Sequence, residues 1–190
     1  MKITALKKAQ EKLIGMKVPK LDSGNIGRLV EKVLEEVGYK INKGAGVDIP
    51  ELGVEIKTTV IPTHSARSIG TMTFSDIIEN SYENSIICKK LQQQFVIRHC
   101  PTLMQITEAK MYDFRDPTLQ AKFKDAYEST RKVLALYQNG QYPKEVKIKG
   151  KCGYWEHKEA NSFKFRIPQA EIKKIEQQVD TEKARSILFD

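Results

Sequence analysis

The sequence predicts an α/β protein, and three stretches carry that expectation. In residues 24–38 the apolar positions Ile26, Leu29, Val30, Val33, Leu34 and Val37 recur at i, i+3, i+4, i+7, i+8 and i+11, the spacing of a helix with one buried face. Residues 53–60 alternate instead, with Val54 and Ile56 set between polar neighbours and β-branched side chains throughout, which is a strand pattern. Residues 117–138 return to the helical period behind Asp116-Pro117, an N-cap followed by a first-turn proline.

In chain order, residues 1–14 read as a helix with Leu6, Ala9 and Leu13 on one side, ended by Gly15 and Pro19. Lys17 and Lys20 fall in the loop that follows, where phosphate contact and plain solvation both fit. Ser23 or Asn25 can cap the next helix and Gly38 ends it. At 100° per residue, Glu31 lies at the border of its apolar stripe and Glu35 lies opposite. A carboxylate at that border can look into a cleft; one opposite faces water. The glycine-rich loop NKGAG then leads to the strand at 53–60.

Beyond Pro62, THSARSIG reads as a polar segment in which His64 and Arg67 can approach nucleic acid, and TMTFSDII reads as a strand. A short helical piece precedes a buried strand at 94–99. Another strand spans 103–114, with Met104, Ile106 and Met111 as packing residues. The helix at 117–138 stops at Asn139-Gly140 and presents Leu119, Phe123, Ala126, Tyr127, Thr130, Val133, Leu134 and Tyr137 on one face. Residues 145–151 and 162–168 read as strands around the wide connection KCGYWEHKEAN, with Lys147, Lys149 and Lys151 along one face: a phosphate-contacting rail or simply a wet face. Residues 169–190 read as helix in two pieces, broken near Asp180.

A chain of 190 residues suits a single domain with a full core. The formal net charge is +8, with 32 basic residues spread along the whole length, as expected of a nucleic-acid binder and not of a globular domain with one basic tail. The three cysteines, Cys88, Cys100 and Cys152, have no Cys-x2-Cys spacing. That argues against a zinc site or disulfide framework and for a reducing, cytoplasmic setting. No apolar run reaches membrane-span length, and the first residues lack a signal-peptide core.

The chemistry concentrates at Asp48, Glu55 and Lys57. On a strand Glu55 and Lys57 point the same way, their Cα atoms about 6–7 Å apart, while Val54, Ile56 and Thr58 face a core. Pro50 and Gly53 let the chain turn so that Asp48 returns beside Glu55. Two carboxylates and a lysine on a strand edge form a minimal kit for metal-assisted phosphodiester hydrolysis. The acids would hold a hard cation such as Mg²⁺, and the lysine would steady water or phosphate.

GNIGRLVEKVL followed by VDIPELGVEIKTTVIP resembles the core of the MutH-like endonucleases, the mismatch-repair nickase family with its GATC-cleaving type II restriction relatives. The resemblance spans roughly residues 20–170 and is strongest over 24–62. It implies a restriction-endonuclease-like PD-(D/E)xK fold, a mixed central sheet flanked by helices, as one nuclease domain with a C-terminal helical segment at 169–190. It also implies Mg²⁺, with Mn²⁺ able to substitute, bound by Asp48, Glu55 and the Ile56 backbone carbonyl. Lys57 would be the catalytic lysine and Glu31 an additional active-site acid. A lysine ahead of the following strand falls on Lys90, beside Lys89, and a guanine-reading arginine falls on Arg166, one residue out of register with its proline. With Arg67 and Lys149 these are the candidate contacts to double-stranded DNA. The chain departs from the family at its end, where the aromatic recognition element has no counterpart, so GATC specificity does not carry over. The expectation is a site-specific type II restriction enzyme leaving 5′-phosphates; a homodimer would cut both strands, and a monomer would nick one or cut both in sequence. A nicking repair enzyme, a structure-specific nuclease and a catalytically silent DNA-binding module are the alternatives.

Overall fold

The computed structural model describes residues 2–18, 23–62, 65–137, 142–159 and 161–189, without the side chains of 2–4, 23, 159 and 182–189. Lys20, the Ser23 side chain, His64 and the Asn139-Gly140 stop lie outside what is described. The protein is mixed α/β and divides into two compact units, Met1–Thr63 with Gln92–Tyr112, and His64–Leu91 with Asp113–Asp190.

In the first unit, helix α1 (Lys2–Leu13) and helix α2 (Ser23–Glu36) accompany strand β1 (Val54–Val60), strand β3 (Gln93–Cys100) and strand β4 (Gln105–Asp113, its last residue in the second unit). The sheet order is β1-β3-β4. β1 runs parallel to β3, with Glu55 level with Gln94 and Lys57 with Val96. β4 follows β3 after residues 101–104, a connection short enough to require an antiparallel return. The core lies where α2 packs on β1 and α1 packs on α2: Ile26, Val30 and Leu34 of α2 cluster with Val54, Phe95, Ile97 and Ile106 of the sheet and with Leu6, Ala9 and Leu13 of α1. The helical stripes read from the sequence are therefore the buried faces. Met104 is the exception: it turns at φ +47° and stands half-exposed, outside the core it was expected to join.

The second unit holds strand β2 (Arg67–Thr73), helix α3 (Phe74–Glu79), a 3₁₀ turn at Tyr82–Asn84, helix α4 (Ile86–Lys90), helix α5 (Pro117–Leu134), strands β5 (Glu145–Val146), β6 (Tyr154–Glu159) and β7 (Ser162–Ile167), and helix α6 (Gln169–Phe189). Its sheet order is β2-β7-β6-β5. Aromatic side chains dominate the core: Trp155 stands edge-on to Phe165 at 5.2 Å and to Tyr127 of α5 at 5.5 Å. Gln120 joins three segments, donating to the Leu91 and Phe114 carbonyls at 3.0 and 2.7 Å and accepting from the Tyr82 hydroxyl at 2.9 Å. Arg131 covers the end of α3 by donating to the Ile77 and Ile78 carbonyls at 2.8 and 2.5 Å.

Several expectations are corrected here. The strand read over TMTFSDII belongs earlier, at β2; Thr73 then caps α3 by accepting from the Asp76 N–H at 3.2 Å, and that local bond favours helix over strand. The wide connection is largely strand β6, because Trp155 and His157 alternate with polar neighbours. Strand 145–151 shrinks to two residues and gives way to a turn with Gly150 at φ +82°. α6 is continuous through Asp180, and two sheets stand where one central sheet was expected.

The aromatic core leaves no room beside Gly153, where a Cβ would sit 2.3 Å from Phe165 Cζ. Gly153→Ala therefore costs about 1–3 kcal/mol of stability by overpacking, measured as a lower urea midpoint at unchanged slope.

Candidate active site

β1 is an edge strand of its sheet, and its free edge is where the site forms. The chain reaches it through a tight return. Ile49 and Val54 form an antiparallel bridge, Ile49 N–H to Val54 O at 2.9 Å and Val54 N–H to Ile49 O at 3.2 Å. Between them the Leu52 N–H reaches Ile49 O and the Gly53 N–H reaches Pro50 O, both at 3.2 Å. Gly53 takes φ +67°, a left-handed conformation that costs glycine least. Ile49 and Val54 are both buried, so this turn is pinned into the core.

One step outward, Asp48 comes level with Glu55, as the turn argument required. Its Oδ2 accepts from the Ile56 N–H at 2.7 Å. Residues 54 and 56 direct their backbone groups to the same side of the strand. Val54 spends both on Ile49; Ile56 gives its N–H to Asp48 and turns its carbonyl to the same edge. The Asp48 carboxylate and the Ile56 carbonyl thus share the free edge of the strand, one register step out from the Ile49–Val54 bridge.

Glu55 and Lys57 share the face opposite the core. Lys57 Nζ donates to Glu55 Oε1 at 2.7 Å, with side-chain exposures of 16% and 3%. A carboxylate so deeply buried requires a cation, and Lys57 supplies one. Gln94, level with Glu55 on β3 and fully buried, is a neighbour the sequence did not single out; a polar residue inside an apolar strand was its only signal. Among the described residues no group of three or more His, Cys, Asp and Glu side chains gathers. An oxygen site here therefore needs the Ile56 carbonyl to supplement the two acids.

Glu31 sits half-exposed at the border of the α2 stripe, where helical geometry put it. Its Oε2 accepts from Lys43 Nζ at 2.5 Å, and Glu35 lies 3.7 Å from the same ammonium. Glu35 thus does not face water alone. The Glu31 hydrogen bond holds Lys43 above the ordinary lysine range.

The basic candidates all lie in the second unit and differ in availability. Arg67 is buried and ion-paired with Glu176 at 2.6 Å, which ties β2 to α6 and corrects the expectation of an arginine reaching for DNA. Arg166 pairs with Glu156 at 2.6 Å. Lys89 is exposed, and Lys90 lies along Gly70, where a Cβ would come within 3.3 Å of its Cδ. The lysine rail does not form: Lys147 stands over the Tyr154 ring at 5.1 Å, Lys149 is exposed in the turn, and Lys151 pairs with Asp125. A different cationic cluster stands on the face of β6 and β7 opposite Phe163 and Phe165. There burial, together with Lys158 and Arg166, holds Lys164 below the ordinary lysine range.

No protein-family model matches this chain, and a search of curated proteins finds no significant match. Among the described residues no helix is long and apolar enough to cross a membrane.

The turn that delivers Asp48 depends on the left-handed residue at 53. Gly53→Ala costs about 1–2 kcal/mol, and Gly53→Asn costs less because asparagine tolerates that conformation. Urea denaturation of the two variants reads this order directly.

Proposed function

We propose that this protein is a Mg²⁺-dependent, site-specific endonuclease of double-stranded DNA, of the type II restriction class. The observation that carries the reading is the 2.7 Å hydrogen bond from the Ile56 N–H to Asp48 Oδ2, which holds an aspartate at the edge of the strand that carries the buried Glu55 and Lys57 on its face. The donors fit the metal: the two carboxylates and the Ile56 carbonyl are hard oxygens, the set Mg²⁺ prefers over nitrogen or sulfur. When bound, Mg²⁺ neutralises charge on the phosphate and makes a nearby water more acidic.

The chain's own groups do the rest. Asp48 holds one oxygen, Oδ2, on the Ile56 N–H at 2.7 Å. Glu55 holds Lys57 Nζ at 2.7 Å, fixing the ammonium on the face opposite the core. Lys57 orients the water that attacks phosphorus in line with the departing 3′ oxygen, so the cut leaves a 5′-phosphate and a 3′-hydroxyl. The net charge of +8 and the Lys158–Lys164–Arg166 cluster support a polyanionic substrate. The resemblance to MutH-like enzymes over residues 24–62 supports the same class.

The test is supercoiled plasmid with Mg²⁺. Discrete fragments are expected, EDTA stops their formation, and Asp48→Asn lowers the rate by at least about 100-fold, the scale of losing a charge that acts only on the reacting phosphate. The asparagine keeps an oxygen for the Ile56 N–H, so gel-shift binding stays near the parent's. A plasmid bound but uncut by the parent protein would favour a DNA-binding module without chemistry and overturn the assignment.

A further inference from the structure

The loop at residues 42–48 is built around one side chain. Asn42 Nδ2 donates to the Ala45 and Val47 carbonyls at 3.0 and 3.3 Å, and its Oδ1 accepts from the Gly44 N–H at 3.0 Å. Its backbone N–H closes the loop by donating to the Asp48 carbonyl at 2.8 Å. Gly46, at φ +126°, passes so close that a Cβ would stand 2.9 Å from Asn42 Nδ2. The next residue, Lys43, fastens the loop to α2 through Glu31 at 2.5 Å, with Glu35 at 3.7 Å. One end of this unit is thus tied to a helix packed on β1, and the other end is Asp48.

We propose that Asn42 is the positioning residue for Asp48 and that Glu31 acts on the site through Lys43, as the loop's anchor, not as an acid touching metal or phosphate. The inference rests on Asp48 being the functional carboxylate proposed above. The number of bonds supports the division of labour. Asn42 makes three side-chain hydrogen bonds, and losing several such bonds shifts an equilibrium by about ten-fold or more. The Lys43–Glu31 pair is exposed by 62% and 31%, and an exposed pair is worth a factor of up to about five. An acid acting directly on the reacting phosphate would count for far more.

The reporter is the Ile56 amide, whose hydrogen exchange in the metal-free protein reads the seating of Asp48 independently of any activity. By NMR, Asn42→Ala is expected to speed Ile56 exchange about ten-fold or more. Glu31→Gln and Lys43→Gln each speed it by the same smaller factor, up to about five. The exchanged pair Glu31→Lys with Lys43→Glu returns it to within about two-fold of the parent, as coupled partners do. Plasmid cleavage follows the same order. Unchanged Ile56 exchange in Asn42→Ala and Glu31→Gln overturns the inference. So does a Glu31→Gln protein that loses cleavage with Ile56 still protected, or an exchanged pair that stays as impaired as Glu31→Gln. Should Asn42→Ala fail to fold, the exchanged pair decides. An uncut plasmid with the expected exchange pattern would sink the nuclease reading while leaving the loop's role standing.

Discussion

An edge strand leaves alternate backbone groups unpaired, and in β1 the way those groups are met determines everything built on them. Val54 is met by Ile49, and Ile56 is met by the Asp48 carboxylate at 2.7 Å. The second bond is charge-assisted, so it is stronger than an ordinary amide pair. It also couples the aspartate's position to the backbone of the strand that carries Glu55 and Lys57. The three side chains therefore keep a fixed relation for as long as the strand does. The tight return through Pro50 and Gly53 makes this affordable in entropy, because only four residues are looped out.

Among the described residues, Glu55–Lys57 in the first unit and Arg67–Glu176 in the second are deeply set ion pairs. Arg67 and Glu176 are both nearly inaccessible and cross-brace strand to helix; removing either partner would strand a charge in the interior. Glu55 and Lys57 sit two residues apart on one strand. Between themselves, Glu55 and Lys57 link neighbouring positions of one strand, whereas Arg67 and Glu176 link a strand to a helix.

Much of this was legible in the sequence. The periodic stripes of α1, α2 and α5 and the alternation of β1 follow from which residues are apolar, and tertiary packing keeps them. The return of Asp48 to Glu55 was also legible, since proline and glycine at 50 and 53 favour a turn of that span. What was hidden depends on partners far along the chain. Nothing near Arg67 announces Glu176, 109 residues away, so its burial could not be read. Thr73 and Asp76 form a local cap that the apolar spacing of TMTFSDII obscured, and Trp155 and His157 turn inward only because a neighbouring strand at 162–167 pairs with them. Asn42 looked like an ordinary loop residue; its three side-chain bonds become visible only when the loop is closed.

The bond between Asp48 and the Ile56 amide also bears on how the protein behaves in crowded solution. A β1 edge with its N–H exposed could accept a strand from a second molecule, the first step of sheet-to-sheet association. A carboxylate seated there blocks the approach with charge and leaves no hydrogen to share. The residue proposed to do the chemistry thus also covers the strand's rim, and changing it for an aliphatic side chain would leave the Ile56 N–H open to a strand from a second molecule.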